Sequence, residues 1–166
     1  GMGGKIKTHA PGGVQIGKKG HMNVRARNAG TIYLIADGEV DIDGLIDMRQ
    51  DKARSYYGEP DYGYGGSLAL IGDADVTIGG RILTGGIGGI GFSGATEFGI
   101  ADGIALDVCR LTLAKSGRID SSYLSERSDD YDAYNTIYIR ESMLAEKGSR
   151  MLSGSQPDDD NIIYYR

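Results

Sequence analysis

The feature that most constrains this chain is a repeat. Segments beginning at Thr31 (TIYLIADGEVDIDGLID), Ser67 (SLALIGDADVTIGGRIL) and Gly103 (GIALDVCRLTLAKSGRID) align at a spacing of 36 residues. A fourth, TIYIRESMLAEKGSRML from Thr136, follows 33 residues later, and VQIGKKGHMNV from Val14 matches the latter part of the same unit. Self-similarity at such a period is the mark of stacked architectures, in which one unit cannot bury its apolar face alone.

Each unit holds three short runs that alternate at period two. In the first they centre on Ile32/Leu34, Val40/Ile42 and Ile46/Met48, with Tyr33, Asp41 and Asp47 on the opposite side. In the second they are Leu68/Leu70, Val76/Ile78 and Ile82; in the third, Ile104/Leu106, Leu111/Leu113 and Ile119. The separators are turn formers: Asp37-Gly38, Asp43-Gly44, Gly79-Gly80, Ser116-Gly117 and Lys147-Gly148. With 28 Gly but only 3 Pro and an apolar share of 40 %, the chain is neither collagenous nor disordered. Stacking equivalent strands buries all three apolar faces at once. The expected fold is therefore all-β: a single domain over 1–166, a right-handed parallel β-helix of about four coils near 14–48, 67–83, 103–119 and 136–152. A sandwich of short antiparallel strands would not require triplets at fixed spacing. A trimeric, intertwined β-helix is a variant of the same reading.

Corners within a unit are short, but the links between units are long. Segments 49–66, 84–102 and 120–135 occupy equivalent positions, so in a stack they leave from one corner. Seven of the 11 tyrosines lie in the first and third of them. The candidate ligand-binding residues are Tyr56, Tyr57, Tyr62 and Tyr64 from the first, and Tyr123, Arg127, Asp129, Asp130, Tyr131, Asp132 and Tyr134 from the third. Amphipathic rings beside carboxylates and Arg suit the faces and hydroxyls of a sugar, or a protein surface. The same residues would also serve to pack the segments against the stack.

Other patterns carry less. Gly86-Ile-Gly88-Gly-Ile-Gly91 has the glycine spacing of a dinucleotide loop, but the sequence after it is too short and Gly-broken for the helix that must follow. Glu39 to Gly44 imitates the start of a calcium loop, yet its twelfth position is Gln50 rather than a bidentate Glu. It reads instead as a strand with acids outward. Oxygen ligands are densest at 128–132 and at Asp158-Asp159-Asp160-Asn161, so Ca2+ is the one ion considered and no other cofactor is expected. Catalysis would need paired carboxylates, or a metal with a basic residue, from Arg127, Asp129, Asp130 and Asp132 with Arg54 or Asp61. Cys109, the single cysteine, follows Val108 and reads as a small buried side chain.

The net charge of −5, and no basic run longer than Lys18-Lys19, argue against nucleic acid. No apolar run approaches the length of a membrane span, so membrane insertion is not expected. Gly1-Met2 reads as a tag remnant, no signal peptide is visible, and localisation stays open.

The strings AGTIYLIADGEVDIDGLID and GSLALIGDADVTIGGRI resemble the coils of filamentous haemagglutinin-type exoproteins and, more broadly, pectate-lyase-like right-handed β-helix repeats. The secretion motifs of the former are not recognisable, and the long insertions depart from its compact coils. The resemblance implies a bacterial surface or secreted role. The leading expectation is a non-enzymatic, adhesin-like module binding a glycan or protein through its Tyr/Asp-rich edge. The rivals are a carbohydrate-active lyase or hydrolase and a trimeric phage-tail or spike module. Open coil ends need caps or partners, so self-association through them is expected, with Ile162 to Tyr165 as a closing last strand.

Overall fold

A computed structural model describes residues 4–26, 29–49, 66–72, 74–84, 103–122, 134–154 and 162–165. They form fourteen strands and, among the described residues, no helix. All strand pairs are parallel. The chain is all-β, built from a nine-stranded sheet and a five-stranded sheet.

Every strand pairs with the one at the same place in the next repeat unit. The first row is β1 (Lys5–Ala10), β4 (Thr31–Ala36), β7 (Ser67–Gly72), the first half of β10 (Gly103–Leu113), the first half of β12 (Tyr134–Ala145) and β14 (Ile162–Tyr165). The second row is β2 (Val14–Ile16), β5 (Val40–Ile42), β8 (Val76–Ile78) and the second halves of β10 and β12. The third is β3 (His21–Asn23), β6 (Leu45–Asp47), β9 (Arg81–Leu83), β11 (Arg118–Ser122) and β13 (Arg150–Gly154). Because β10 and β12 run unbroken through the corner between the first two rows, those rows belong to one sheet that doubles back on itself.

Period-two alternation now has a physical destination. Val14, Val40, Val76, Leu111 and Met143 are register partners, as are Met22, Ile46, Ile82, Ile119 and Met151. Leu34, Leu70, Leu106 and Ile137 form a third ladder, and all three belong to one core cluster. One residue's slip in any strand would turn its apolar residues outward, so the ladders hold the register.

At the corner between the second and third rows, glycines stack on glycines. The Gly44 carbonyl accepts from Arg81 N at 2.9 Å, and that of Gly80 from Arg118 N at 2.9 Å. A β-carbon at Gly80 would lie 2.0 Å from the Gly44 oxygen, and one at Gly44 would lie 2.3 Å from that of Gly20. The turn residues Asp43-Gly44 and Gly79-Gly80 are thus required by the stacking distance as well as by the turn itself.

Several expectations need correction. The fourth unit does not sit 33 residues beyond the third. Ala105 pairs with Thr136 and Leu111 with Met143, offsets of 31 and 32, with a bulge between Val108 and Arg110. A two-residue shift keeps every side chain on its face, so alternation alone could not separate these registers. The third insertion is shorter than 120–135, because Asp120 to Ser122 end β11 and Tyr134-Asn135 open β12. Ser121 and Asn135 are polar yet buried, which disguises them as loop. Cys109 is not a core side chain. Val108 takes the buried position, and Cys109 is half-exposed beside Glu141. Finally, β1 lies upstream of any expected strand. It offers the core only Ile6 as a large apolar residue, and its polar alternation follows from β4 covering just one of its edges.

Candidate binding edge

The three long segments start and end on neighbouring strands. Asp47, Leu83 and Asp120, near the ends of β6, β9 and β11, are register partners. Ser67, Gly103 and Tyr134 open β7, β10 and β12 at the other side of that corner, and Ser67 Oγ lies 3.2 Å from Thr31 Oγ1 of β4. In the last unit the corner is tied across, with Asn135 Nδ2 donating to the Leu152 carbonyl at 2.8 Å.

The flanks of this corner are buried on their outward side. Tyr33, only 4 % exposed, and its partner Ala69 face away from the core yet are covered, and so are Leu83 and Asp47. The outward residues of the second row behave differently: Gln15 and Thr77 are exposed and Asp41 is half-exposed. Tyr33 also carries the Lys5 ammonium 4.4 Å from its ring centroid. Two-sided burial is usual for parallel sheets, but here it is concentrated where the insertions leave.

A charged row lines the same flank. Asp47, 2 % exposed, accepts from Arg49 Nε at 2.8 Å and Arg49 Nη2 at 2.7 Å, a two-pronged pair. The Arg49 backbone N–H lies 3.2 Å from Asp47 Oδ1, and Arg25 Nη1 lies 3.7 Å from Oδ2. Burial pushes the Asp47 carboxyl up, but the Arg49 hydrogen bonds and the Arg49 and Arg25 charges together outweigh it and hold the carboxyl below its ordinary value. The hydrogen bond to Asp47 raises the Arg49 guanidinium, with Asp120 adding attraction. Two strands on, Arg118 Nε donates to Asp120 Oδ2 at 3.0 Å. Asp47 and Asp120 are about 9.6 Å apart along the sheet at the ordinary interstrand spacing. Both are committed to Arg partners, and Asp47 stays ionised, so it cannot serve as the protonated member of an acid pair.

Of the candidate ligand-binding residues, Tyr56, Tyr57, Tyr62, Tyr64, Tyr123, Arg127, Asp129, Asp130, Tyr131 and Asp132 lie outside the described residues. Tyr134 falls within β12, where its backbone pairs with Gly103. The glycine-spaced stretch 86–91 and the acidic runs 128–132 and 158–160 also lie outside the described residues, apart from their place in the sequence. Among the described residues, no three His, Cys, Asp or Glu are grouped to hold a metal ion. The Asp47/Arg49 and Arg118/Asp120 pairs went unsingled in the sequence. Their signal is the two-residue spacing of an acid and an Arg, which share a side on a strand, as in β11, and meet just past the end of β6.

No family model, curated protein or solved structure matches the chain.

Proposed function

We propose that the chain winds as a right-handed parallel β-helix and serves as a non-enzymatic surface or structural module. In this reading it binds a glycan or a protein through the Tyr- and Asp-rich segments at its insertion corner. Parallel strands joined by crossovers are right-handed in nearly all sheets, which supports the hand. The observation that carries the binding role is the register pairing of Asp47, Leu83 and Asp120. It anchors the starts of all three long segments on adjacent strands, which supports a shared edge for the six tyrosines that those segments hold. The resemblance to filamentous haemagglutinin-type coils supports an extracellular or cell-surface location. Separate segments held side by side on a rigid scaffold suit recognition of an extended ligand, because the scaffold bears the ordering cost before binding.

The test is binding of the intact chain to a glycan array and to immobilised cell-surface extracts. Binding lost on Tyr57→Ala and on Tyr131→Ala, with the fold intact by circular dichroism, supports the reading. Wild-type binding to no glycan and no surface partner overturns it. Depolymerisation of a polysaccharide, abolished by Asp130→Asn, would replace it with a carbohydrate-active enzyme.

A further inference from the structure

The two ends of the stack differ. Among the described residues, β1, β2 and β3 pair on one side only, with β4, β5 and β6. At the far end, among the described strands, β13 pairs with β11 alone, β14 with β12 alone, and the second half of β12 with β10 alone. We propose that copies of this chain associate head to tail, the edge formed by β12, β13 and β14 of one copy docking on the edge formed by β1, β2 and β3 of the next.

Strand direction selects this arrangement. All pairings within the stack are parallel, so a second copy placed above the first in the same orientation continues each row with the same hydrogen-bond pattern. A twofold that joins like edges makes the pairing antiparallel and reverses the order of the three rows, so at most one row meets its own counterpart. The ladders continue as well. Ile6, Val14 and Met22 face the core at one end and Met143 and Met151 at the other, each only partly buried because its ladder stops there.

The apolar load also points to this junction. Among the described residues, the exposed large hydrophobic side chains are Leu144, Leu152, Ile163, Tyr164 and Tyr165, all on the last three strands. Leu144 is 58 % and Tyr165 67 % exposed. Tyr164 stacks on Tyr138 of the strand beneath at 4.9 Å between ring centroids, and in the continued register His9 of the next copy would lie over it. An apolar terminal strand is a template for another strand.

Charge opposes the alternative of head on head. Residues 1–26 hold Lys5, Lys7, Lys18, Lys19 and Arg25 and no acid, a charge of +5, whereas residues 134–166 hold four cations and five acids, a charge of −1. Two heads facing each other would oppose like charges, whereas a head facing a tail would not. Because the two surfaces differ, the contact does not close on itself and grows as an open series.

Sedimentation velocity over a rising concentration series tests this. Wild type is expected to pass through dimers into progressively larger species. The tail variant Leu144→Lys/Leu152→Lys and the head variant Met22→Lys are each expected to be monomeric, with unchanged circular dichroism. Mixed in equal amounts, they retain one good head and one good tail and are expected to form a heterodimer that grows no further. If Met22→Lys fails to fold, Gln15→Pro, at an exposed position of β2 whose neighbour Val14 donates to the strand on the other side, serves as the head variant and is expected to weaken growth. A wild-type monomer at every concentration, a dimer or trimer that stops growing, or variants that stay monomeric when mixed would each overturn the proposal.

Discussion

Gly80 sits directly over Gly44, so close that a β-carbon on it would fall 2.0 Å from the Gly44 carbonyl oxygen. That oxygen accepts the Arg81 N–H at 2.9 Å. A side chain at position 80 therefore pushes apart two units at the point where they are hydrogen-bonded. Gly80→Ala is expected to cost about 1–3 kcal/mol, the range for overpacking a close-fitted site. Gly17→Ala, whose β-carbon meets nothing within 4 Å, is the control and should stay within about 0.5 kcal/mol. Urea unfolding of the two variants makes the comparison, and equal midpoints would refute the close-approach account.

The core ladders should respond by depth. Ile78 is fully buried between Ile42 and Leu113. Ile78→Ala removes side-chain volume from a site fixed on both sides by parallel strands, and is expected to lose about 2–5 kcal/mol. Leu144 extends its strand on the exposed side, and Leu144→Ala should change monomer stability by less than about 0.5 kcal/mol. Thermal or denaturant unfolding at low concentration, where association is absent, measures both.

Asp47 gives the fold a sensitivity to acid. Its carboxyl is held below the ordinary value of about 3.9. A depressed carboxyl contributes stability that is fully present above the unfolded-state value and is lost as pH falls through the folded-state one. Stability is thus expected to be flat near neutrality with respect to this group and to fall below about pH 4. Asp47→Asn should cost about 1–3 kcal/mol at pH 7, less than a fully buried pair because Arg49 is well exposed. The same variant should show a shallower acid decline than wild type. A variant whose acid limb is as steep as that of wild type would place the sensitivity elsewhere.

Cys109 should be a slow thiol. The Glu141 hydrogen bond is the chief cause that raises it above its ordinary value, followed by desolvation and the Glu141 and Asp75 charges. Because the thiolate is the reactive form, alkylation by iodoacetamide near neutral pH is expected to be slower than for an unstructured peptide cysteine. It should speed up in Glu141→Gln. Equal rates in the two proteins would show that Glu141 does not govern the thiol.

Much of this architecture was legible because two periods coincide in the sequence. The alternation of Val40/Ile42 and of Val76/Ile78 marks strands, and their separation by 36 residues marks which strand lies on which. Legibility failed where a residue's type and its position disagree. Asn135 and Ser121 face inward with polar side chains, so the ends of β11 and β12 looked like loop. Cys109 is apolar in character but falls at a bulge that turns it outward. The register of the last unit was hidden by symmetry, since Ile137 fits opposite Ile104 as well as opposite Leu106 by facing alone. Of the edge, the common corner was legible from the equivalent places of the insertions. The Asp47–Arg49 pair was overlooked because outward acids on strands are ordinarily solvated.

The distance in sequence between register partners varies while the ladders do not. Ile6 pairs with Ile32 at an offset of 26, Ile32 with Leu68 at 36, Leu106 with Ile137 at 31, and Ile137 with Ile163 at 26. The link from the third row back to the first absorbs most of this variation. Closing a longer loop adds only about 0.6 kcal/mol per doubling of its length. A framework of this kind is therefore a chassis with an adjustable port. Segments of foreign sequence, grafted between β6 and β7 or between β9 and β10, would be displayed in a fixed order along one edge without renegotiating the scaffold beneath them.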